Sequence, residues 1–412
     1  MLTKPLRGIL FSVLTTCILA SGQAAEMTPS DGTNPSEEGL ANDISASLVV
    51  CGRGARLISS FGHCSIHMTC PSAGLDSYYT YLIHATPANI WRFFTEGICT
   101  GRFVMQKWDV FSKDYAEQNR PVTEYRLNLT TDEVRLLWMN LDKETLNPVS
   151  RAYSFLHSQC TSICADIIRA SLTNERIVCH DLPAALTGTL RDFTDHAVAG
   201  YPWERFVFQS LLGAEGEQQG IVWEKLAPAD IWPVWSQASI VDAAGGERPV
   251  FAGEPTVLFN GTYSPEEPTR LTPTVVFAIL LALTLLLTIA EAFGGKMRRT
   301  AKVFDALLLC VQTLLGLFFT GLLLFSRASW MPGNVLPMVF NPLPALLWVF
   351  FHKRKAFRWA YVAYAVVLTA MMVATPFVPQ LQWGHALVFA TFLVRVAAHI
   401  IRTTNHKSLI NK

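Results

Sequence analysis

The chain has 412 residues, 50% of them hydrophobic and only 16% charged, with a formal net charge of +1. That is too apolar for a disordered chain and too lightly charged for an ordinary soluble one. The near-zero sum conceals two opposed halves: residues 25–270 hold 18 Lys+Arg against 30 Asp+Glu, and residues 271–412 hold 13 against 2. A single soluble domain is excluded, and so is a basic nucleic-acid binder, because the basic half is also the apolar half.

Lys4 and Arg7 precede an apolar stretch from Ile9 to Ala20, and small residues follow to Ala25. This is the pattern of a secretory signal over residues 1–24. Residues 25–44, rich in Pro, Ser, Gly and acids, predict a flexible leader. Export carries residues 45–270 into an oxidising compartment, where cysteines pair. Seven lie there: Cys51, Cys64, Cys70, Cys99, Cys160, Cys164 and Cys179. Disulfides are therefore expected, and the odd number leaves one thiol unpaired.

Early in the exported part, Cys64 to Met68 reads as a strand bounded by Gly62 and Pro71. His63 stands at its start, where a preceding Gly allows close backbone approach and a strand holds the imidazole rigidly. Cys64-x-x-His67-x-x-Cys70 has the spacing of half a zinc site, but no second half follows, and no metal is expected. About a hundred residues later, Cys160, Ile163, Cys164 and Ile167 fall on one face of a helix that opens after Ser158-Gln159. A cysteine in a first helical turn meets the positive end of the macrodipole, which predicts a lowered thiol pKa and a nucleophilic Cys160.

Residues 181–270 form a membrane-proximal extension in this reading. Trp203, Trp223, Trp232 and Trp235 there suit either the outer leaflet or an ordinary aromatic core. Five apolar stretches follow, near 273–292, 303–325, 334–351, 357–376 and 382–400, each close to the roughly 20 residues needed to span a bilayer. If the first runs outside to inside, the basic segments Lys296 to Lys302, His352 to Arg358 and the tail 402–412 all fall inside. This obeys the positive-inside rule, with residues 25–270 on the outer side of the membrane. Trp330 and Trp383 then suit outer aromatic anchors, and Glu291 and Asp305 suit cytoplasmic helix ends.

Several motifs carry a family resemblance. Phe61-Gly62-His63-Cys64-Ser65-Ile66 resembles the Phe-Gly-His-Ser-x-hydrophobic motif of the Lnb N-terminal periplasmic domain family. Asp76 to Tyr81, Phe93 to Gly97, Tyr115 to Arg120, Leu127 to Thr130 and Tyr153-Ser154-Phe155 follow in the family's order, and Gln159-Cys160-Thr161 is similar to its Asn-Cys-Ser/Thr box. The match runs over about residues 45–172 and extends to a five-span tail. It departs at Ser158-Gln159, Cys64, Thr80 and Leu82.

The resemblance implies an α+β, permuted papain-like (NlpC-like) domain over residues 45–180, followed by five transmembrane helices over 271–401. It implies a cofactor-free lipoprotein N-acyltransferase in which Cys160 attacks a membrane phospholipid ester and His63 moves the proton. The acyl chain then passes from the Cys160 thioester to the α-amino group of a lipoprotein's lipid-modified N-terminal cysteine. Asp76 or Thr80 is expected to orient His63, with His84 a further candidate, and Gln159 to assist the backbone N–H groups of the oxyanion site. Asn334, Asn341 and His385, near outer span ends, are candidates for head-group contact or for plain capping. Two alternatives stand beside this reading: a membrane-anchored peptidoglycan amidase or cysteine peptidase, and a non-catalytic receptor with Cys160 disulfide-bonded.

Overall fold

The computed structural model describes residues 43–55, 59–84, 86–89, 92, 99–146, 151–153, 158–180, 188–218, 228, 231–263, 270–351 and 357–410. The expected signal, most of the leader, the 93–97 motif, His157, Trp223 and the basic stretch 352–356 lie outside them. The chain divides into two units, each taken here by itself. The first runs to Val198 and resumes over Gln219–Glu266; the second holds Ala199–Gln218 and the chain from Glu267. Residues 181–270 thus contribute to both.

The first unit is built on strands β1 (Ser45–Cys51), β2 (His63–Cys70), β3 (Leu75–Ile83), β4 (Cys99–Gln106), β5 (Val122–Arg126), β6 (Arg151–Tyr153) and β10 (Thr256–Phe259). They form one antiparallel sheet in the order β10-β5-β1-β2-β3-β4-β6. A smaller sheet joins β7 (Arg176–Cys179), β8 (Ala238–Val241) and β9 (Glu247–Pro249). Side chains alternate across the large sheet. In the β1–β2 and β2–β3 registers, Cys51, His63, His67 and Tyr78 point to one face, and Cys64, Ile66 and Tyr79 to the other.

Each face is covered by helix. Helix α1 (Trp108–Glu117) lays Phe111 and Tyr115 against Val49, Cys51, Tyr78 and Val122. On the opposite face, α2 (Thr131–Leu146) opens with a reciprocal cap, in which Thr130 N–H donates to Glu133 at 2.7 Å and Glu133 N–H to Thr130 Oγ1 at 3.4 Å. Its Leu137 and Leu141 are fully buried, which contributes about 1.5–3 kcal/mol each. Tyr79 donates its hydroxyl to Asp142 of this helix at 2.8 Å. Helix α3 (Cys160–Ala170) packs beside it on the Cys64 side of β2. Helices α4 (Leu190–Ala197) and α6 (Ile231–Trp235) complete the unit. Trp235 is core, and Trp232 stacks on Tyr125 at 4.9 Å and Phe251 at 5.8 Å, so both belong to the aromatic core.

In the second unit, among the described residues, α5 (Pro202–Leu211) accompanies the apolar helices α7 (Pro273–Ala292), α8 (Gly295–Phe325), α9 (Leu343–Phe351), α10 (Phe357–Ala374) and α11 (Trp383–Ile410). Residues 273–292, 296–325 and 383–402 are long and apolar enough to cross a membrane, whereas 336–350 and 359–374 are shorter. The expected third span begins as a 3-10 turn, Leu336–Met338, and becomes helical only at Leu343. Pro337 and Pro342 account for the delay, since each lacks an N–H, and Pro344 falls in the first turn, where that N–H is not needed. The basic residues Lys296, Arg298, Arg299 and Lys302, expected in a loop, lie inside α8.

Glu291 and Asp305 are not simply interfacial. Arg395 donates to Asp305 at 2.6 Å, to Glu291 at 3.1 Å and to Thr288 at 2.7 Å, and Arg402 also bonds Glu291. This network ties α7, α8 and α11 together, as an ionised group at such a position requires a partner. Trp383 is exposed, but Trp330 is buried and does not act as an outer anchor.

Candidate active site

The sharpest constraint on the site is at Gly62. Its φ is +84°, and a Cβ there would lie 2.8 Å from the Cys51 carbonyl oxygen. Only glycine fits, and the corner delivers His63 as the first residue of β2. The His63 Nε2 lies 2.6 Å from the hydroxyl of Thr80, which is 1% exposed on the neighbouring strand. Burial, reinforced by the charge of Arg120, pushes the His63 pKa down to about 3. The imidazole is neutral at pH 7, and the same burial and charge disfavour its protonated form in the resting site.

Arg120 had no role in the sequence reading beyond its motif. Asn119 adopts a left-handed conformation at φ 52° just past α1, the usual way to end a helix, and this turns Arg120 inward. Its Nε donates to the Gly52 carbonyl at 2.8 Å, and its guanidinium lies 4.8 Å from the Tyr115 ring centroid. The Asn-Arg-Pro sequence was the available signal.

Cys160 is the first residue of α3 and 6% exposed. Ser162 locks the turn by accepting the Gln159 N–H at 3.0 Å and donating to the Gln159 carbonyl at 3.1 Å. The expected lowered thiol pKa does not hold: burial raises it, and this outweighs hydrogen bonds from the backbone of Cys64, the Thr161 hydroxyl, and the backbones of Thr161 and Cys160 itself. The same groups are nonetheless placed to stabilise a thiolate once it forms. Cys64 follows His63 on β2, but strand alternation turns the two side chains to opposite faces, and α3 with Cys160 packs on the Cys64 side. Among the described residues no hydrogen bond joins the Cys160 and His63 side chains, and at rest one is a neutral thiol and the other a neutral imidazole.

Of the candidate orienting residues, Thr80 is at the His63 ring and Asp76 is not. Asp76 bonds His67 Nε2 at 2.8 Å, and Glu124 bonds His67 Nδ1 at 2.7 Å. His67 also stacks on Tyr78 with ring centroids 4.1 Å apart. Strand alternation turns Cys64 and Cys70 away from His67, which dissolves the zinc spacing read from the sequence. His84 lies beyond β3, its N–H bonded to the Thr100 carbonyl at 2.9 Å. Gln159 is buried at the helix start.

The expected disulfides are absent among the described residues: Cys51, Cys64, Cys70, Cys99, Cys160 and Cys164 are free and buried. Cys51 and Cys64 sit on adjacent strands but on opposite faces, and Cys70 lies at the far end of β2 from Cys64. They act as small core hydrophobes instead. Free Cys160 also removes the premise of the disulfide-bonded receptor.

Asn334, Asn341 and His385 are engaged within the second unit. Asn334 donates to the Ser210 and Leu211 carbonyls at 2.9 and 3.1 Å and accepts the Leu336 N–H at 2.9 Å. Asn341 accepts the Leu343 N–H at 3.1 Å at the start of α9. His385 Nδ1 accepts the Gln382 N–H at 3.0 Å, so in the neutral ring Nε2 donates to Ser210 Oγ at 2.8 Å. With His385 as donor, Ser210 is not activated as a nucleophile.

The fold and site define a membrane protein whose α+β segment carries a buried thiol at a helix start and a neutral imidazole at the start of β2. Residues 38–193 match the family model described as the Lnb N-terminal periplasmic domain, and residues 265–407 match the Lnb transmembrane domain. Together these cover nearly three quarters of the chain, which belongs to the Lnb family. It is a multi-pass inner membrane protein with a periplasmic segment. No curated protein and no solved structure matches the chain.

Proposed function

We propose that the chain is a lipoprotein N-acyltransferase working through a Cys160 thioester on a permuted papain-like scaffold. The observation that carries this reading is Cys160, free at a helix start and met by backbone N–H groups, where α3 packs on the strand that opens with neutral His63. His63 takes the thiol proton as the sulfur attacks a phospholipid ester carbonyl, and returns it to the departing alkoxide. The lysophospholipid leaves and the acyl chain stays on sulfur. The α-amino group of a lipid-modified N-terminal cysteine then attacks the thioester and regenerates the thiol. Thr80 holds the imidazole, and the helix-start N–H groups receive the oxyanion.

Burial of both groups suits a reaction that must exclude water, because hydrolysis of the thioester would waste the acyl chain. A membrane-spanning tail suits two lipid-anchored substrates and is superfluous for a soluble peptidase. The test is expression in cells lacking their native lipoprotein N-acylation enzyme. N-acylated lipoprotein is expected with the wild-type chain and none with Cys160→Ser or His63→Ala; full N-acylation by either variant would sink the proposal.

A further inference from the structure

The mechanism above uses Cys64 only through its backbone, yet its thiol is placed for a second role. We propose that Cys64 is the resolving thiol of a reversible oxidation site at Cys160, forming a Cys64–Cys160 disulfide that withholds the nucleophile from over-oxidation. Three groups of Cys64 meet the first turns of α3. Its backbone N–H donates to the Cys160 sulfur, its sulfur accepts from the Thr161 hydroxyl at 3.9 Å, and its carbonyl accepts from the Cys164 thiol at 3.9 Å. The Thr161 hydroxyl also pairs with Cys160, so one hydroxyl lies between both sulfurs. Continuous pairing of β2 with β1 and β3 holds Cys64 in that position.

The order of events follows from exposure. Cys160 is 6% exposed, whereas Cys64 and Cys164 are 0% exposed, so an oxidant reaches Cys160 first. Burial raises all three thiols, but Cys160 has the backbone N–H donors that favour its thiolate. The co-reactant is a hydroperoxide. The Cys160 sulfur attacks its distal oxygen, the O–O bond breaks, two electrons pass to the peroxide, and the thiol proton leaves with the departing alcohol or water. The resulting sulfenic acid is attacked by the Cys64 sulfur; an S–S bond forms, the S–O bond breaks, and hydroxide departs with the Cys64 proton as water. Thiol reductants reverse the product, whereas an unresolved sulfenic acid proceeds to sulfinic and sulfonic acids that they do not reduce.

The proposal stands apart from the acyltransferase reading because its readout is the chemical state of sulfur. Reduced full-length protein in detergent is treated with hydrogen peroxide, its remaining thiols are alkylated, and the non-reduced digest is mapped by mass spectrometry. A Cys64–Cys160 linked peptide is expected, with return of both thiols after reductant. In Cys64→Ser, and in Cys64→Ala should the first variant fold poorly, recoverable Cys160 thiol should be lost to sulfinic and sulfonic forms. Alkylated Cys64 beside over-oxidised Cys160 in the wild type, a disulfide to Cys51 or Cys164 instead, or Cys160 untouched by peroxide would each overturn it.

Discussion

Thr80→Val isolates the contact that orients the proposed base. The substitution keeps the branched shape and deletes one hydroxyl, 2.6 Å from His63 Nε2, at a position 1% exposed. At so buried a position the imidazole nitrogen is left unsatisfied at a cost of about 1–3 kcal/mol. Placed wholly on positioning of the base, that slows thioester formation by about 5- to 150-fold. The rate of acyl appearance on Cys160, followed by intact mass with excess phospholipid, measures it, and urea unfolding separates any loss of stability. Thr80→Ser, which restores the hydroxyl, should recover most of the rate. A Thr80→Val protein that is less stable yet acylates at the wild-type rate would show that Thr80 supports the strand and does not orient His63.

The His67 clamp and the Arg248 cluster each respond to pH or substitution in a defined direction. Hydrogen bonds to Glu124 and Asp76 raise the His67 pKa over the opposing effect of burial, so its clamp stabilises the fold at lower pH and is lost as pH rises through that raised value. Glu124 is held below its usual range, so its share is lost as pH falls through its own lowered value; the difference in urea midpoint between wild type and His67→Phe should therefore peak between the two. Arg248 bonds Glu133 at 2.8 and 2.9 Å and Glu175 at 2.7 Å, and the Glu133 side chain is 5% exposed. Arg248→Met should cost about 3–5 kcal/mol by stranding a buried carboxylate, and adding Glu133→Gln should restore part of it in chemical denaturation.

Much of this architecture was legible because it rests on local rules. The strand at His63, the helix at Cys160 and the apolar helices follow from alternation, helical spacing and length. Thr80 was named beside Asp76, and only the register of β2 with β3 decides between them, since that register carries Asp76 to His67. The cysteines misled because parity counts thiols and is blind to the faces on which strands place them. The thiol pKa was misjudged for a related reason: the helix-start donors are local, but the burial that outweighs them comes from packing of α3 on the sheet. Likewise, nothing in the spacing of Glu291, Asp305 and Arg395 reveals that three separate helices bring them into one network.

The central claim is that Cys160 carries an acyl group with His63 as its base. It is tested most directly by incubating the purified full-length protein with a phospholipid of defined chains and mapping the Cys160 peptide by mass spectrometry. A hydroxylamine-sensitive acyl adduct on Cys160 is expected in the wild type, absent from Cys160→Ser and nearly absent from His63→Ala. A wild-type protein without the adduct, or one whose adduct survives Cys160→Ser at another residue, would contradict the account.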